Sequence, residues 1–256
     1  MARLRSWLRL VLIAMATTLF FLLFQLGRPF LVGRPVRRRR WRSFNLRGWG
    51  RTLLRIMNVE VEVVGTAPEP PFLLVSNHLS YVDIVVLSSR LGSIFVSKSD
   101  VRSWPVLGFM VRHMDIIFVD RNLRRDIRPT VASIEEALAA GDGVVVFPEG
   151  TSTAGATVGR FRPSLLEPAA RGLLPVATAA LSYSTPAGHA PAHLAVCWWG
   201  DMTFPDHVLR LLALPGFSVR LAFGAGAVRD GERKRLAASL EARVRDLFVP
   251  VAGATP

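Results

Sequence analysis

From Leu10 to Leu26 the sequence runs for seventeen residues without a charged side chain, most of them Leu, Phe, Ala, Val and Ile. A helix of that composition has to be covered by lipid or by protein. Its length is at the lower end of what spans a bilayer. Arginines bracket it, with Arg3, Arg5 and Arg9 before it and Arg28 and the block Arg37–Arg40 after it. A secretory signal peptide opens the same way, but the run is long for one, and the arginine block behind it looks like a stop signal. The expectation is a retained anchor that either spans the membrane or lies in one leaflet. If it spans, the heavier positive flank places the rest of the chain on the cytoplasmic face of the inner membrane.

The distribution of charge supports a lipid partner. The 256 residues carry a formal net charge of +13. Residues 1–51 hold twelve arginines and no acidic residue, whereas the remainder holds 20 Lys+Arg against 19 Asp+Glu. A nucleic-acid binder carries its basic residues on the folded domain. Here they flank a greasy segment, so anionic membrane lipids are the expected partner and nucleic acid is not. In residues 44–58, Leu46, Trp49, Leu53, Leu54 and Met57 fall near helical spacing, and Arg47, Arg51 and Arg55 recur every four residues on another side. That pattern suits a helix in the headgroup region, and the same periodicity suits a helix packed on a core. Residues 1–58 are therefore expected to be a membrane anchor with a basic interfacial helix, and 59–256 a single folded domain.

From Val59 onward short strand patterns alternate with helical ones. Strands are expected at Val59–Val64, Phe72–Val75, Ser93–Val96, Asp115–Val119, Gly143–Phe147, Leu174–Leu181, His193–Trp199 and Ser218–Phe223. Helices are expected at Tyr81–Ser89, at Asp126–Ala140 with Pro129 in its first turn and Gly141 ending it, and at Glu232–Leu247. The alternation implies an α/β domain in which helices flank a central mixed sheet. The single cysteine, Cys197, lies in an apolar run and excludes an internal disulfide framework or a cysteine metal cluster.

Two polar clusters stand at strand ends. The first is Asn77-His78-Leu79-Ser80-Tyr81-Val82-Asp83, directly after an apolar strand and opening a helix. Histidine is the side chain best suited to take a proton near neutral pH. If His78 is in the loop and Asp83 in the first helical turns, the carboxylate can reach back and fix the imidazole. No serine nucleophile completes such a set, and transfer to a hydroxyl does not need one, because the acceptor supplies its own. The second cluster, Phe147-Pro148-Glu149-Gly150-Thr151-Ser152, ends a later strand about seventy residues on. Each alone is compatible with a helix cap or a surface turn.

Together, the two clusters resemble those of the glycerolipid acyltransferase family, which includes bacterial 1-acylglycerol-3-phosphate acyltransferases. Phe118-Val119-Asp120-Arg121 resembles that family's substrate-binding arginine block, and Leu174-Pro175-Val176-Ala177 its proline-containing block. Lys98 and Trp104–Gly108 resemble the segment leading into the arginine block. The resemblance spans roughly residues 55–200. It implies His78 as general base and Asp83 as its orienting partner. It implies Asn77, Lys98, Arg121, Glu149, Gly150, Thr151, Ser152 and Pro175 as substrate contacts. The donor would be acyl-CoA or acyl-acyl carrier protein, the acceptor a lysolipid, with no metal and no bound cofactor. His113, His189, His193 and His207 show no metal-ligand spacing with carboxylates.

The arginine block makes lysophosphatidate the first expected acceptor. One departure points elsewhere. Many phosphate-recognising members carry Arg directly after Phe-Pro-Glu-Gly-Thr, where this sequence has Ser152, and the next basic residues are Arg160 and Arg162. The segment Thr151–Leu166, with Phe161–Leu166 in it, and the stretch Trp198–Met202 also look like members that acylate lyso-ornithine lipids, the second expected acceptor. An inactive lipid-binding protein would have lost His78, Asp83 or Glu149, and all three are present. A secreted esterase would need Gly-x-Ser-x-Gly, which does not occur.

Overall fold

The computed structural model describes residues 2–98, 117–119 and 127–254. Two helices come first, α1 (Ala2–Gly27) and α2 (Pro35–Met57), joined by the 3-10 turn Arg28–Leu31. Pro35 opens α2 at the position where a missing N–H is harmless. Asn58, in the left-handed conformation at φ 58°, closes it. The apolar run is thus one helix of 26 residues, longer at both ends than its uncharged stretch, and the basic helix begins nine residues before 44.

The domain proper follows in the order β1 (Val59–Val64), β2 (Phe72–Ser76), α3 (Val82–Leu91), β3 (Ile94–Lys98), β4 (Ile117–Val119), α4 (Ile127–Ala139), β5 (Gly143–Val146), α5 (Glu167–Arg171), β6 (Val176–Ser184), α6 (Ala192–Ala195), α7 (Phe204–Ala213), β7 (Phe217–Phe223) and α8 (Arg233–Leu247). Among the described residues seven strands form one sheet in the order β1-β7-β6-β2-β5-β3-β4. The β6–β7 pair is antiparallel and every other pair is parallel. The sheet is therefore mixed and flanked by helices, as the alternation implies. β2 and β5 at its centre are buried at every position. Their continuous apolar sequences are those of parallel strands covered on both faces.

One expected strand is corrected. His193–Trp199 is not extended: it begins inside the short helix α6 and continues as an irregular segment with Ala195, Val196 and Cys197 fully buried. Pro191 caps that helix, and a short apolar run carries no period that separates strand from helix. Cys197 is free and buried, and burial raises its thiol pKa far above the usual range.

The N-terminal helices are joined to this domain, α2 against α3 and the first part of α1 against α7. α2 packs on α3 so closely that a Cβ on Gly50 would stand 2.6 Å from the Ser89 backbone nitrogen. Leu53, Leu54 and Met57 are buried, while Arg51 and Arg55 are exposed, so α2 is a core-packing helix on one side and a basic surface on the other. α1 packs on α2 and α7. At its start Arg9 donates to the carbonyls of Leu214 (2.6 Å) and Pro215 (3.1 Å), and farther along Trp49 Nε1 donates to Thr17 Oγ1 (3.1 Å). Its outer face exposes Trp7, Leu8, Met15, Leu19, Leu22 and Leu26.

Candidate active site

The centre of the sheet positions the candidate site. β2 and β5 are parallel neighbours, so the loops after both strands emerge on the same edge. This is where open α/β sheets place their ligands. The first loop carries Asn77 and His78, and α3 then begins at Val82 with Asp83 in its first turn.

Asp83 is fully buried and gathers the loop around itself. Its Oδ2 accepts the backbone N–H of Leu79 (2.7 Å) and of Ser80 (3.0 Å), and His78 Nδ1 lies 2.7 Å from the same oxygen. Oδ1 accepts the hydroxyl of Tyr183 at 2.6 Å. A carboxylate only accepts, so the facing Nδ1 carries the ring proton and Nε2 keeps its lone pair. The His78 side chain is 22% exposed, and its ring stacks on Phe147 with centroids 4.3 Å apart. The spacing His-x4-Asp therefore delivers an oriented, partly accessible imidazole with its basic nitrogen free.

The second loop is tied to the first. Glu149 Oε1 accepts the His78 backbone N–H at 3.1 Å, and the Thr153 N–H donates to the His78 carbonyl at 3.0 Å. Gly150, at φ 83°, makes the turn that allows this. A third segment joins them: the Trp198 N–H donates to the Leu79 carbonyl at 2.8 Å, and Ser152 Oγ donates to the Trp198 carbonyl. Beside the loops, His207 is buried between the Tyr81 hydroxyl and the Cys197 carbonyl, and burial lowers its pKa to about 4.

Glu149 is 5% exposed, and burial raises its pKa to about 8, against the lowering effect of the His78 and Gly159 backbone N–H groups. The carboxyl is therefore mostly protonated at neutral pH. Because its folded pKa is above the unfolded one, its contribution to stability is full below about pH 4.5 and is lost as pH rises through about 8. Glu149→Gln keeps an acceptor for the His78 N–H and removes the titration. Thermal denaturation in detergent across pH 5–9 is expected to show a flatter fall in Tm for the variant than for the wild type. Parallel curves would show that Glu149 does not titrate in this range.

The expected substrate contacts divide. Gly150 is buried, while Thr151 is exposed and Ser152 half-buried beside His78's loop. Lys98 ends β3 three positions after Phe95, which pairs with Val145, so it reaches the same edge of the sheet. Arg121, with Trp104–Gly108, lies outside the described residues. Asn77 is 1% exposed, with both ends of its amide on the Leu181 backbone (Nδ2 to the carbonyl at 2.9 Å, the Leu181 N–H to Oδ1 at 2.8 Å). These bonds brace the loop against β6. Glu149, likewise interior, supports the His78 loop. Pro175 precedes β6, whose first residue pairs with Leu73, so it stands at the opposite edge of the sheet from His78, roughly 15–20 Å away at about 3.3 Å per residue.

Tyr183 is the site residue that sequence reasoning missed. The only signal was a tyrosine in a buried apolar strand, whose hydroxyl must find a partner. Nothing in the sequence says that the partner is Asp83.

A family model described as Acyltransferase matches residues 58–182. The lyso-ornithine lipid O-acyltransferase of Rhizobium meliloti (strain 1021) is 31% identical, over 95% of this chain and 87% of that protein. The 1-acyl-sn-glycerol-3-phosphate acyltransferase of Neisseria meningitidis serogroup B is 31% identical, over 77% of each chain. The crystal structure of the 1-acyl-sn-glycerophosphate acyltransferase PlsC from Thermotoga maritima shares the fold, with a TM-score of 0.65 at 18% identity, over 96% of this chain and 98% of that one.

Proposed function

The chain belongs to the Acyltransferase family and is a lysolipid acyltransferase, and from that premise we propose that His78 and Asp83 carry the transfer and that lyso-ornithine lipid is the preferred acceptor. The acceptor hydroxyl gives its proton to His78 Nε2 as its oxygen attacks the thioester carbonyl. The C–O bond forms, the C–S bond breaks, and the imidazolium returns the proton to the departing thiolate. Asp83 holds the ring in the required tautomer and stabilises its charge. The observation that carries this reading is the contact between His78 Nδ1 and Asp83 Oδ2, which leaves Nε2 free.

The choice of acceptor rests on Ser152. A phosphate monoester carries nearly two negative charges and is held best by several donors, a forked guanidinium among them. Ser152 stands where many phosphate-recognising members carry Arg, and its hydroxyl is bonded to the Trp198 carbonyl. The relative matched over 95% of this chain is named for lyso-ornithine lipid. Lysophosphatidate is the second reading, favoured by the Neisseria relative and by the Phe118–Arg121 block. Purified enzyme offered the two acceptors side by side is expected to acylate lyso-ornithine lipid faster. Ser152→Arg is expected to lower that rate, by placing a cation near the headgroup amine, and to raise the rate on lysophosphatidate. A wild-type preference for lysophosphatidate reverses the order.

The same reading places residues 1–58 as the anchor and 59–256 as the catalytic domain. We put α1 in one leaflet rather than across the bilayer. It is about 39 Å long at 1.5 Å per residue, the domain holds it at Arg9, and α2, itself packed on the domain, holds it at Thr17, whereas a spanning helix would leave both behind. The catalytic domain is placed on the cytoplasmic side, where acyl thioesters of coenzyme A and acyl carrier protein are found.

A further inference from the structure

At the edge of the sheet opposite His78, α2 roofs a cavity of about 430 Å³. Its floor is the beginnings of β2, β3 and β5, at Pro70, Ser93 and Gly143. Arg39, Arg40, Ser43, Phe44, Arg47 and Arg51 line it from α2, spaced as one face of a helix. Among the described residues Asp142 is the only acidic one lining it, and it is ion-paired with Arg42. Four guanidinium groups therefore converge without an acid of their own.

Their existing partners orient these groups and leave the charge in place. Arg39 Nη1 donates to the Gly141 carbonyl (2.6 Å), Arg47 Nη2 to Leu91 (3.3 Å) and Arg51 Nε to Ser89 (3.3 Å). Two polar atoms lack a partner. Arg47 Nε is buried without an acceptor, and the hydroxyl of Ser93, a residue 2% exposed, is also unsatisfied. A buried donor left unsatisfied costs about 1–3 kcal/mol, so both point to a missing acceptor. Beside them Phe44 is 67% exposed, and the same helical hairpin also exposes Phe30, Val32 and Val36.

We propose that this cavity is a binding site for the phosphodiester of an anionic membrane phospholipid, separate from the catalytic site, with Arg40 and Arg47 and the Ser93 hydroxyl holding the phosphate and an acyl chain lying over Phe44. The ligand is a lipid and not a free phosphate, because the cation cluster opens beside apolar side chains that only hydrocarbon would cover. The site lies roughly 20 Å from His78, at about 3.3 Å per residue along β2, and is therefore not the acceptor's own headgroup site. A lipid held here would fix α2 at headgroup level.

Native mass spectrometry of the full chain in neutral detergent tests this, with phosphatidylglycerol, phosphatidylcholine and inorganic phosphate as separate probes. One phosphatidylglycerol per protein is expected. Its apparent affinity should fall at least tenfold in Arg40→Gln/Arg47→Gln, and more than threefold in the single variant Arg40→Gln, whose exposed side chain the fold does not need. Arg34→Gln/Arg37→Gln removes two exposed charges that do not line the cavity and should bind as the wild type does. Equal losses in both double variants would reduce the effect to general charge and overturn the site. Equal retention of phosphatidylcholine, or competition by inorganic phosphate at concentrations matching the lipid's, would overturn the assignment to an anionic lipid.

Discussion

Replacing His78 with alanine is expected to lower acyl transfer by ~10²–10⁴-fold, the range that an oriented general base supplies. Among the described residues His207, the other histidine near these loops, is no substitute: it is buried and has both ring nitrogens engaged. The effects of its supports should be graded. Asp83→Asn places an amide where His78 Nδ1–H, two backbone N–H groups and the Tyr183 hydroxyl all need an acceptor. It turns the ring to the wrong tautomer and should cost nearly as much as losing the base. Tyr183→Phe removes one hydrogen bond to a charged group, typically about 1.5–3 kcal/mol. Its turnover should fall roughly tenfold with KM nearly unchanged, because Tyr183 positions Asp83 and does not touch the substrate. All three should bind membranes as the wild type does. A Tyr183→Phe enzyme of full activity would mean that Asp83 is held well enough without it.

Arg42→Ala is expected to be the most damaging single change away from the catalytic loops. Arg42 comes from the anchor helix α2 and Asp142 from the turn between α4 and β5, and their side chains are 8% and 9% exposed. Removing one partner leaves a buried charge uncompensated, which typically costs about 3–5 kcal/mol. In a chain of this size roughly 2–4 °C of Tm is lost per kcal/mol, so a fall of about 10 °C is expected by differential scanning calorimetry in detergent. Arg42→Met combined with Asp142→Leu should recover most of it, since an apolar pair of similar volume commonly replaces a buried ion pair without loss. An unchanged Tm in Arg42→Ala would mean that anchor and domain are only loosely joined. The expected fall would mean that α2 contributes to the stability of the folded domain.

The α/β plan and the two loops were legible because they rest on local signals. Phe72–Val75 and Gly143–Phe147 are apolar runs stopped by polar or proline residues, and the chemistry stands where they stop. What brings His78 and Glu149 together is not local. The parallel pairing of β2 with β5 places their ends side by side, and the sequence contains no trace of that register. The family resemblance implies Asn77 and Glu149 as substrate contacts, and nothing local in the sequence shows what else their side chains hold. The structure gives them to the backbone of β6 and to the His78 loop. The segment His193–Trp199 misled for the opposite reason. Its apolar residues are buried, but in a loop that closes over the site and donates from Trp198 to Leu79. The arginines of α2 were read as a lipid-facing charge, and their convergence on a cavity depends on which of them face the sheet.

The central claim is direct transfer, with His78 as base and the acceptor hydroxyl as the only nucleophile. Rapid-quench analysis with an acyl thioester labelled in its acyl group tests it most directly, with and without lysolipid. Label is expected to enter the diacylated lipid only when lysolipid is present, with none covalently retained on the protein, and the His78→Ala enzyme should leave the thioester intact. Label bound to the wild-type protein in the absence of lysolipid, and discharged when lysolipid is added, would contradict direct transfer.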